Sequence, residues 1–524
     1  MAKQQYLLAL DLGTTGTKSV VFDLKGNEIG KGYFNTPTEY PQPGWVAQDA
    51  QDIVELAYKS TATAIKNAGV NPDDIAGVSF TNMCTTFVPV DAEGNFLHPV
   101  LLWQDVRGQE MIPWIKEQLA ENGMTVMDDY RITGMPISSL YTNTKILWLK
   151  KHHPDIYENT HKFVGMQALL TKAYGGEVYW QDKPSVAYTK VANADTFDYN
   201  PELAEIYGLD LDKYCEIKDP GVMAGRVPNE VSEKTGLAEG TPVFIGSCDQ
   251  RCAAIGVGVA HDGEVSVCLG TAGVVHAYSS RPVRHDGGKI QILGHCGSGH
   301  WQAEANSSSA ASSLSWFKDN FCQLEAAMAD SMDENVFDYL TQLAEKSPPG
   351  ARGLLYTPWL AAASCPNYDD NARATFTGMT FSHNKNDMIR ALMEGVIFEI
   401  KNMLIEVEAT TQNPGEVYRL SGGGSASSFW NQIQADIYGR PVETVATSEA
   451  TCLGAAMCAA VGLEIYDDIW EAIDEMVKVK NRWEPNEENV EVYDELFELS
   501  QEAYDSLSGD FFNGLAGFQA EHNE

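Results

Sequence analysis

One short segment near the start of the sequence combines residue types that can bind phosphate. Residues 10–18 read Leu-Asp-Leu-Gly-Thr-Thr-Gly-Thr-Lys, between two apolar runs. Glycine lets the backbone approach an anion, threonine hydroxyls donate hydrogen bonds, and the lysine adds positive charge. An aspartate that ends a strand can hold a hydrated divalent cation. We interpret the segment as a phosphate-binding hairpin, with an ordinary tight turn as the alternative. The candidate phosphate ligands are Gly13, Thr14, Thr15, Thr17 and Lys18, and the candidate metal ligand is Asp11.

Two glycine-rich segments downstream could bind the rest of a polyphosphate ligand. Residues 269–273, Leu-Gly-Thr-Ala-Gly, repeat the hairpin pattern without its acid and lysine. Residues 419–430 place three glycines between a strand and a helix, where a flat ring such as adenine can lie against bare backbone. A plain turn is the alternative reading of each segment. The candidates are Gly270 and Thr271 in the first segment, and Gly422, Gly423, Gly424 and Ser427 in the second.

A further acidic residue follows the apolar strand predicted at residues 241–246. The segment 246–250 reads Gly-Ser-Cys-Asp-Gln. α/β proteins bind ligands at the carboxyl ends of their strands. Asp249 could therefore act as a general base, and Gln250 could donate a hydrogen bond to a substrate. An aspartate that caps a helix N-terminus is the alternative.

Alternating strands and helices must position these segments. Tyr6–Asp11, Lys18–Asp23 and Glu28–Phe34 read as a three-strand meander, followed by helical spacing over residues 52–68. A strand, a Gly-Thr turn and a second strand return at residues 264–278. The alternation predicts an α/β protein, and the repeat of the strand–turn–strand motif predicts a duplicated, two-lobed architecture.

Composition excludes several classes of function. The chain of 524 residues carries 36 Lys and Arg against 73 Asp and Glu, a formal net charge of −37. Such a surface repels nucleic acid and anionic membranes, so neither is an expected partner. No apolar stretch has the length of a membrane span or a signal segment, and none of the ten cysteines forms a Cys-x-x-Cys pair. We expect reduced cysteines and a cytoplasmic protein, and we read His295, Cys296 and His300 as a β-hairpin rather than a zinc site.

Taken together and in this order, the four segments resemble the FGGY family of carbohydrate kinases. The resemblance implies a two-lobed actin-like ATPase fold of ribonuclease H-like domains with a central cleft. Residues 1–252 would form the sugar-binding lobe and residues 253–524 the ATP-binding lobe. It further implies phosphoryl transfer from ATP to a sugar hydroxyl, with Asp249 as the base, and with Asp11 and Asp249 holding Mg²⁺. The resemblance is also compatible with a homodimer.

The resemblance also suggests where the sugar binds. Met83, Cys84 and Thr85 occupy the place where glycerol kinases carry Arg-Glu and xylulokinases carry Met-His. Loss of the Arg-Glu pair argues against glycerol. Trp103 and Asp105 match the family's sugar-side segment, as do the nearby Thr144 and Lys145, although residues 103–107 could instead form a surface ion pair.

The predicted acceptor is a pentulose such as xylulose. Another short sugar or polyol, or a substrate of the autoinducer-2 type, is the alternative acceptor. A non-catalytic nucleotide switch and a sugar-phosphate or polyphosphate hydrolase on the same fold are the alternative functions.

Overall fold

The computed structural model describes residues 5–522. The strands, in chain order, are β1 (Tyr6–Leu12), β2 (Gly16–Asp23), β3 (Glu28–Asn35), β4 (Ala47–Gln48), β5 (Ile75–Asn82), β6 (Phe87–Val90), β7 (Val100–Leu101), β8 (Lys162–Gly165), β9 (Trp180–Asp182), β10 (Ala192–Asn193), β11 (Asp198–Tyr199), β12 (Glu216–Lys218), β13 (Met223–Arg226), β14 (Pro242–Cys248), β15 (Glu264–Leu269), β16 (Gly273–Ser279), β17 (Gln291–Gly294), β18 (Trp301–Ser307), β19 (Leu355–Thr357), β20 (Thr375–Thr377), β21 (Val417–Ser421), β22 (Val442–Val445) and β23 (Val479–Trp483).

The helices lie between or after these strands, singly or in consecutive groups, and short 3₁₀ turns accompany them. They are α1 (Ala50–Ala68), α2 (Ile112–Glu121), α3 (Val126–Thr133), α4 (Thr142–His152), α5 (Pro154–Asn159), α6 (Met166–Ala173), α7 (Pro201–Ile206), α8 (Asn229–Thr235), α9 (Asp249–Gly256), α10 (Ala311–Phe321), α11 (Gln323–Ser331), α12 (Val336–Ala344), α13 (Lys385–Thr411), α14 (Ser428–Tyr438), α15 (Ala450–Gly462), α16 (Ile469–Met476), α17 (Glu487–Leu507) and α18 (Asp510–His522).

The chain divides into two compact units that are discontinuous in sequence. Unit 1 comprises the chain up to Ala260 and two later segments, Ser279–Gln302 and Thr447–Lys478. Unit 2 comprises the remaining segments, His261–Tyr278, Ala303–Ala446 and the chain from Val479 onward. The boundary predicted after residue 252 therefore lies inside α9, whereas unit 1 continues to Ala260 and takes up two later segments that the prediction assigned to the other lobe.

Unit 1 is built on a mixed sheet with the strand order β13-β14-β5-β1-β2-β3. Strand β1 pairs with β2 in antiparallel fashion and with β5 in parallel, which confirms the predicted meander and adds a neighbour from later in the chain. Leu7–Leu10 are fully buried because both faces of the sheet are covered. One face packs against α1, and the other packs against α15 and α9.

Local signals define the ends of the helices that cover this sheet. Asp49 precedes α1 and its side chain accepts a hydrogen bond from the Asp52 N–H over 2.9 Å, a typical N-cap. Gly69 ends the helix in the left-handed conformation. Helix α15 carries no charged residue and is buried over most of its length, as its run of small apolar residues predicts.

Unit 2 is built on a second sheet that contains the neighbouring strands β18-β16-β15-β21-β22-β23. The antiparallel pair β15–β16 and its turn confirm the second strand–turn–strand motif. The long helix α13 begins with a capping box formed by Asn384 and Asp387. The acidic helix predicted after residue 486 is α17, and its Tyr493 is buried with its hydroxyl 2.7 Å from Glu394.

Three smaller predictions can be compared with the described residues. The ten cysteines are present as thiols, and most of them are buried. The His295 N–H donates to the His300 carbonyl over 2.9 Å, so the predicted β-hairpin at these residues is confirmed. Within residues 5–522, none of the helices combines the length and the apolar character that crossing a bilayer requires.

Candidate active site

The first hairpin has the geometry of a tight strand–turn–strand motif in unit 1. Asp11 lies opposite Lys18 across the β1–β2 pair, and the Gly13 N–H donates to the Gly16 carbonyl over 3.0 Å. Thr15 is exposed at the tip, and Gly13 and Thr14 are half-buried beside it. Thr17 is fully buried, because strand alternation turns its side chain inward toward Thr36. The tip can thus offer backbone N–H groups and hydroxyls to an anion, whereas the Thr17 hydroxyl faces the interior.

Lys18 is held by an acidic partner from far along the chain. Its ammonium lies 2.6 Å from Glu449 Oε2, and Lys31 lies 3.3 Å from the other oxygen of the same carboxylate. Burial alone would lower the pKa of Lys18, but the hydrogen bond to Glu449 raises it above its usual range. Lys18 therefore stays charged and is held at a fixed position beside the hairpin.

Asp11 is an unusual carboxylate at the end of β1. Burial raises its pKa to about 7, the charge of Lys18 opposes this rise, and the charges of Asp249 and Glu449 add to it. Its Oδ1 is shielded from solvent and has no hydrogen-bond partner among the described residues. An orphaned buried oxygen beside a second carboxylate fits a divalent cation, because Mg²⁺ binds oxygen ligands and is held in proteins by one or two carboxylates. Asp11 and Asp249 thus lie close enough in unit 1 to influence each other's charge.

Asp249 is the first residue of α9 and not its N-cap, so the helix-cap alternative is wrong. The N-cap is Cys248, whose side chain caps nothing. The Asp249 carboxylate is half-buried, and its Oδ1 accepts the Gln250 N–H over 2.8 Å and the Cys84 thiol over 3.1 Å. The neighbouring Gln250 Oε1 is buried and has no hydrogen-bond partner among the described residues. A carboxylate held by two donors at the end of a strand is suited to accept a proton from a hydroxyl.

A recess in unit 1 adjoins this carboxylate. It encloses about 510 Å³ of space, part of which is open solvent. Met83, Cys84, Thr85 and Cys248 line it, whereas Trp103, Asp105 and Gln250 do not. Among the described residues, no Asp, Glu, Lys, Arg or His contributes to its lining. The polar side chains that do are hydroxyls and amides: Asn82, Thr85, Thr86, Thr142, Gln181, Ser185, Tyr188, Thr189, Tyr199 and Tyr214.

Trp103 and Asp105 have separate roles in the structure. The Trp103 indole N–H donates to Thr14 Oγ1 over 2.8 Å, which ties this segment to the tip of the first hairpin. Asp105 is fully buried, and both its oxygens accept from the Arg107 guanidinium at 2.8 Å. Its Oδ2 also accepts the Val46 N–H over 2.7 Å. Asp105 and Arg107 therefore form the ion pair that the sequence left open, buried rather than on the surface, and the Asp105 carboxylate does not line the recess.

Lys145 braces the same region from α4. Its buried ammonium donates to the carbonyl oxygens of Leu140 at 3.0 Å, Thr85 at 3.3 Å and Trp103 at 3.4 Å. Burial lowers its pKa to about 7; the charge of Asp105 opposes this shift, and the charge of Arg107 adds to it. Thr85 has a positive φ of 52°, an uncommon conformation for a threonine. Lys145 thus fixes the backbone of two predicted sugar-side residues.

The two glycine-rich segments of unit 2 meet each other. Strands β15 and β21 are parallel neighbours, so the Gly270–Thr271 turn and the glycine loop leave the same edge of the sheet. Gly422 has a φ of +81°, and a Cβ there would lie 2.7 Å from the Leu269 carbonyl carbon. Gly423 is exposed and faces open space. The Ser427 hydroxyl accepts the Trp430 N–H over 3.2 Å as the N-cap of α14.

The predicted candidates therefore fall into two groups. Unit 1 brings together the first hairpin, Asp11, Asp249 and the Met83–Thr85 segment, and unit 2 brings together the second turn and the glycine loop. Glu449 was missed as the partner of Lys18, because 431 residues separate the two and no local pattern links them. Cys248 was missed as well, although its place beside Asp249 at a strand end was a usable signal.

Comparison with known proteins places the chain in a family. The model of the N-terminal domain of the FGGY family of carbohydrate kinases matches residues 6–256, and that of the C-terminal domain matches residues 265–463. The xylulose kinase of Bacillus subtilis (strain 168) is 26% identical over 95% of this chain and 97% of its own. The gluconokinase of the same strain is 27% identical over 93% of each chain.

A solved structure supports the same fold. The crystal structure of ligand-bound xylulose kinase from Lactobacillus acidophilus matches with a TM-score of 0.87 at 22% identity, over 97% of this chain and 99% of that chain. The predicted two-domain actin-like ATPase fold is thereby confirmed. The two family models together span most of the chain, and the protein belongs to the FGGY family of carbohydrate kinases, enzymes that transfer a phosphoryl group to a sugar.

Proposed function

We propose that this kinase transfers the terminal phosphoryl group of ATP to a hydroxyl of a neutral ketose, with a pentulose such as xylulose as the first choice. The observation that carries the proposal is the Asp249 carboxylate, held by Cys84 next to a recess lined by hydroxyl and amide groups. Sugar hydroxyls are recognised by such neutral donors and acceptors. The xylulose kinase among the relatives supports a pentulose.

The lining of the recess favours a neutral sugar over an aldonic acid. The gluconokinase relative acts, by its name, on a substrate that carries a carboxylate. A buried carboxylate needs a cationic or charge-assisted partner. No Lys, Arg or His among the described residues lines the recess, so gluconate is the less suitable acceptor.

Each group of candidate residues would have its own role in phosphoryl transfer. Asp249 would take the proton of the acceptor hydroxyl as its oxygen attacks phosphorus, and Gln250 would donate a hydrogen bond to the sugar. Hairpin N–H groups, the hydroxyls of Thr14 and Thr15, and Lys18 would hold phosphate oxygens. The turn at Gly270 and the loop at Gly422–Gly424 would bind nucleotide. Asp11 and Asp249 would hold Mg²⁺, which when bound neutralises charge on the phosphates.

A substrate panel tests the proposal. ADP release is measured with ATP and Mg²⁺ in the presence of ketopentoses, aldopentoses, tetroses, glycerol, gluconate and a furanone precursor of the autoinducer-2 type. We expect one ketopentose, xylulose first, to accelerate ADP release well above the rate without acceptor. Acceleration by gluconate alone would contradict the argument from the neutral lining, and acceleration by the furanone precursor alone would favour the alternative acceptor class.

A further inference from the structure

Two thiols and one carboxylate form a compact cluster beside the proposed base. The ligand atoms of Cys84, Cys248 and Asp249, which we call the thiol cluster, all lie within 4.8 Å of one another. Cys84 Sγ is 3.1 Å from Asp249 Oδ1. The two thiols meet because β5 and β14 are parallel neighbours, with Cys248 opposite Asn82 at the ends of the strands. Cys84 and Cys248 are far apart in sequence, and the pairing of the two strands brings them together.

The donor set of the thiol cluster suits a thiophilic divalent cation. Zn²⁺ binds Cys sulfur at about 2.3 Å and carboxylate oxygen at about 2.0–2.2 Å, so two ligand atoms of one tetrahedral ion are about 3.5–3.8 Å apart. The Cys84 Sγ–Asp249 Oδ1 distance of 3.1 Å and the limit of 4.8 Å for the whole cluster lie on either side of this separation. Mg²⁺ prefers oxygen ligands only, so the two sulfurs favour Zn²⁺ over the cation of the kinase reaction.

An ion can reach the thiol cluster from the recess. Cys84 is half-buried, and both Cys84 and Cys248 line the recess, which is partly open to solvent. Three protein ligands leave the fourth position of a tetrahedral ion open for water on that side. Each thiol binds as its thiolate and releases one proton to solvent, so an ion held by both sulfurs displaces two protons.

We propose that the thiol cluster is an inhibitory binding site for Zn²⁺ or a similarly thiophilic divalent cation. An ion bound there occupies the Asp249 carboxylate and prevents it from accepting a proton from the sugar hydroxyl. The inhibitory effect rests on the proposed function of Asp249, whereas the binding site itself rests only on the geometry of the three side chains.

Cobalt spectroscopy tests the site without reference to catalysis. Freshly reduced full-length protein is titrated with Co²⁺ under argon, and the near-ultraviolet charge-transfer absorption of cobalt–thiolate bonds is recorded. We expect the absorption to saturate at one equivalent and to disappear when Zn²⁺ is added. Cys84→Ser and Cys248→Ser should each remove most of it, with Cys248→Ala as a second variant in case the buried serine lowers stability.

Cys322→Ser, which replaces a buried cysteine of unit 2, is the matched control and should retain the full absorption. No thiolate absorption in the unmodified protein would overturn the proposal. An absorption that survives both Cys84→Ser and Cys248→Ser would overturn it as well.

Inhibition is then measured with the acceptor that the substrate panel identifies. Zn²⁺ should inhibit the unmodified enzyme reversibly, and Cys84→Ser should need at least about tenfold more Zn²⁺ for half-inhibition of its own activity. Cobalt–thiolate absorption without any inhibition by Zn²⁺ would overturn the inhibitory role. If no acceptor supports turnover, the proposed function fails, and the cobalt titration still decides the site on its own.

Discussion

The indole N–H of Trp103 donates a hydrogen bond to Thr14 Oγ1 over 2.8 Å. This bond joins the predicted sugar-side segment to the tip of the predicted phosphate hairpin, within one unit of the chain. In the proposed site, this side chain links a residue predicted to bind the sugar to one predicted to bind phosphate.

Trp103→Phe should therefore impair catalysis, because it removes the hydrogen bond to Thr14 in addition to some side-chain packing. Removing one hydrogen bond between neutral groups costs about 0.5–1.5 kcal/mol, so kcat/KM should fall about 2–10-fold. Steady-state kinetics with ATP and acceptor varied separately should show the loss for both substrates. Trp180→Phe is the control, since within residues 5–522 that indole N–H donates to Glu216 and to no other residue. An unchanged kcat/KM in Trp103→Phe would show that the bond has no catalytic role.

Asp249→Asn should abolish sugar-dependent ADP release and leave nucleotide binding nearly intact. The amide cannot accept the hydroxyl proton, and general-base catalysis contributes about 10²–10⁴-fold to a rate. Nucleotide titration by fluorescence, together with the coupled assay, separates the two effects. Turnover that survives the substitution would remove Asp249 as the base.

Asp105→Asn should lower stability rather than sugar affinity. The substitution leaves the Arg107 guanidinium buried without its carboxylate, and breaking a buried pair costs about 3–5 kcal/mol. Thermal unfolding measures the loss, and the KM of the folded fraction for sugar at low temperature should be unchanged. Glu110→Gln is the control, because its pair with Lys151 is exposed and contributes at most about 1 kcal/mol. A large rise in the KM for sugar with unchanged stability would instead show that Asp105 takes part in sugar binding.

Lys145 should make the stability of unit 1 depend on pH. Its folded pKa of about 7 lies below the unfolded value, so between pH 7 and 10 the unfolded chain binds the extra proton. Stability must then rise with pH over this window, and the penalty of burying the charge is fully present below pH 7.

The Lys145→Met variant should lose this dependence. Between pH 7 and 10, the free energy of unfolding of the unmodified protein should therefore rise by a few kcal/mol relative to that of the variant, at about 1.4 kcal/mol per pKa unit. Urea unfolding at several pH values measures the difference. Lys151→Met, at an exposed lysine on the same helix, should follow the native profile. A native profile parallel to that of Lys145→Met would contradict the assignment.

Gly423→Ala should weaken nucleotide binding without affecting the fold. The added methyl group meets no atom within 4 Å in the structure, so stability should be unchanged. If adenine lies against this loop, the methyl group forces it away at a cost of about 1–3 kcal/mol, which calorimetry with ATP would detect. Gly514→Ala, also in open space, is the control. Equal ATP affinities in the two variants would show that adenine does not bind against this loop.

Local patterns predicted the hairpins, the glycine loop and the strand end before Asp249, because turn chemistry and strand period are written in neighbouring residues. The same strand alternation buries the Thr17 hydroxyl, although the hairpin pattern had suggested Thr17 as a phosphate ligand. The partners of charged groups could not be predicted in this way. Lys18 meets Glu449 only because α15 returns to unit 1, and Lys145 reaches Thr85 and Trp103 only through the tertiary fold.

The return of α15 to the first sheet also has a consequence for biosynthesis. Leu7, Ala9, Val20 and Phe22 lie on the sheet face that packs with residues of α15, yet that helix is translated only after most of unit 2. On the ribosome, these early strands expose an apolar surface until residues 450–462 emerge. A fragment truncated before this point should aggregate, and co-expression of the missing segment should restore its solubility.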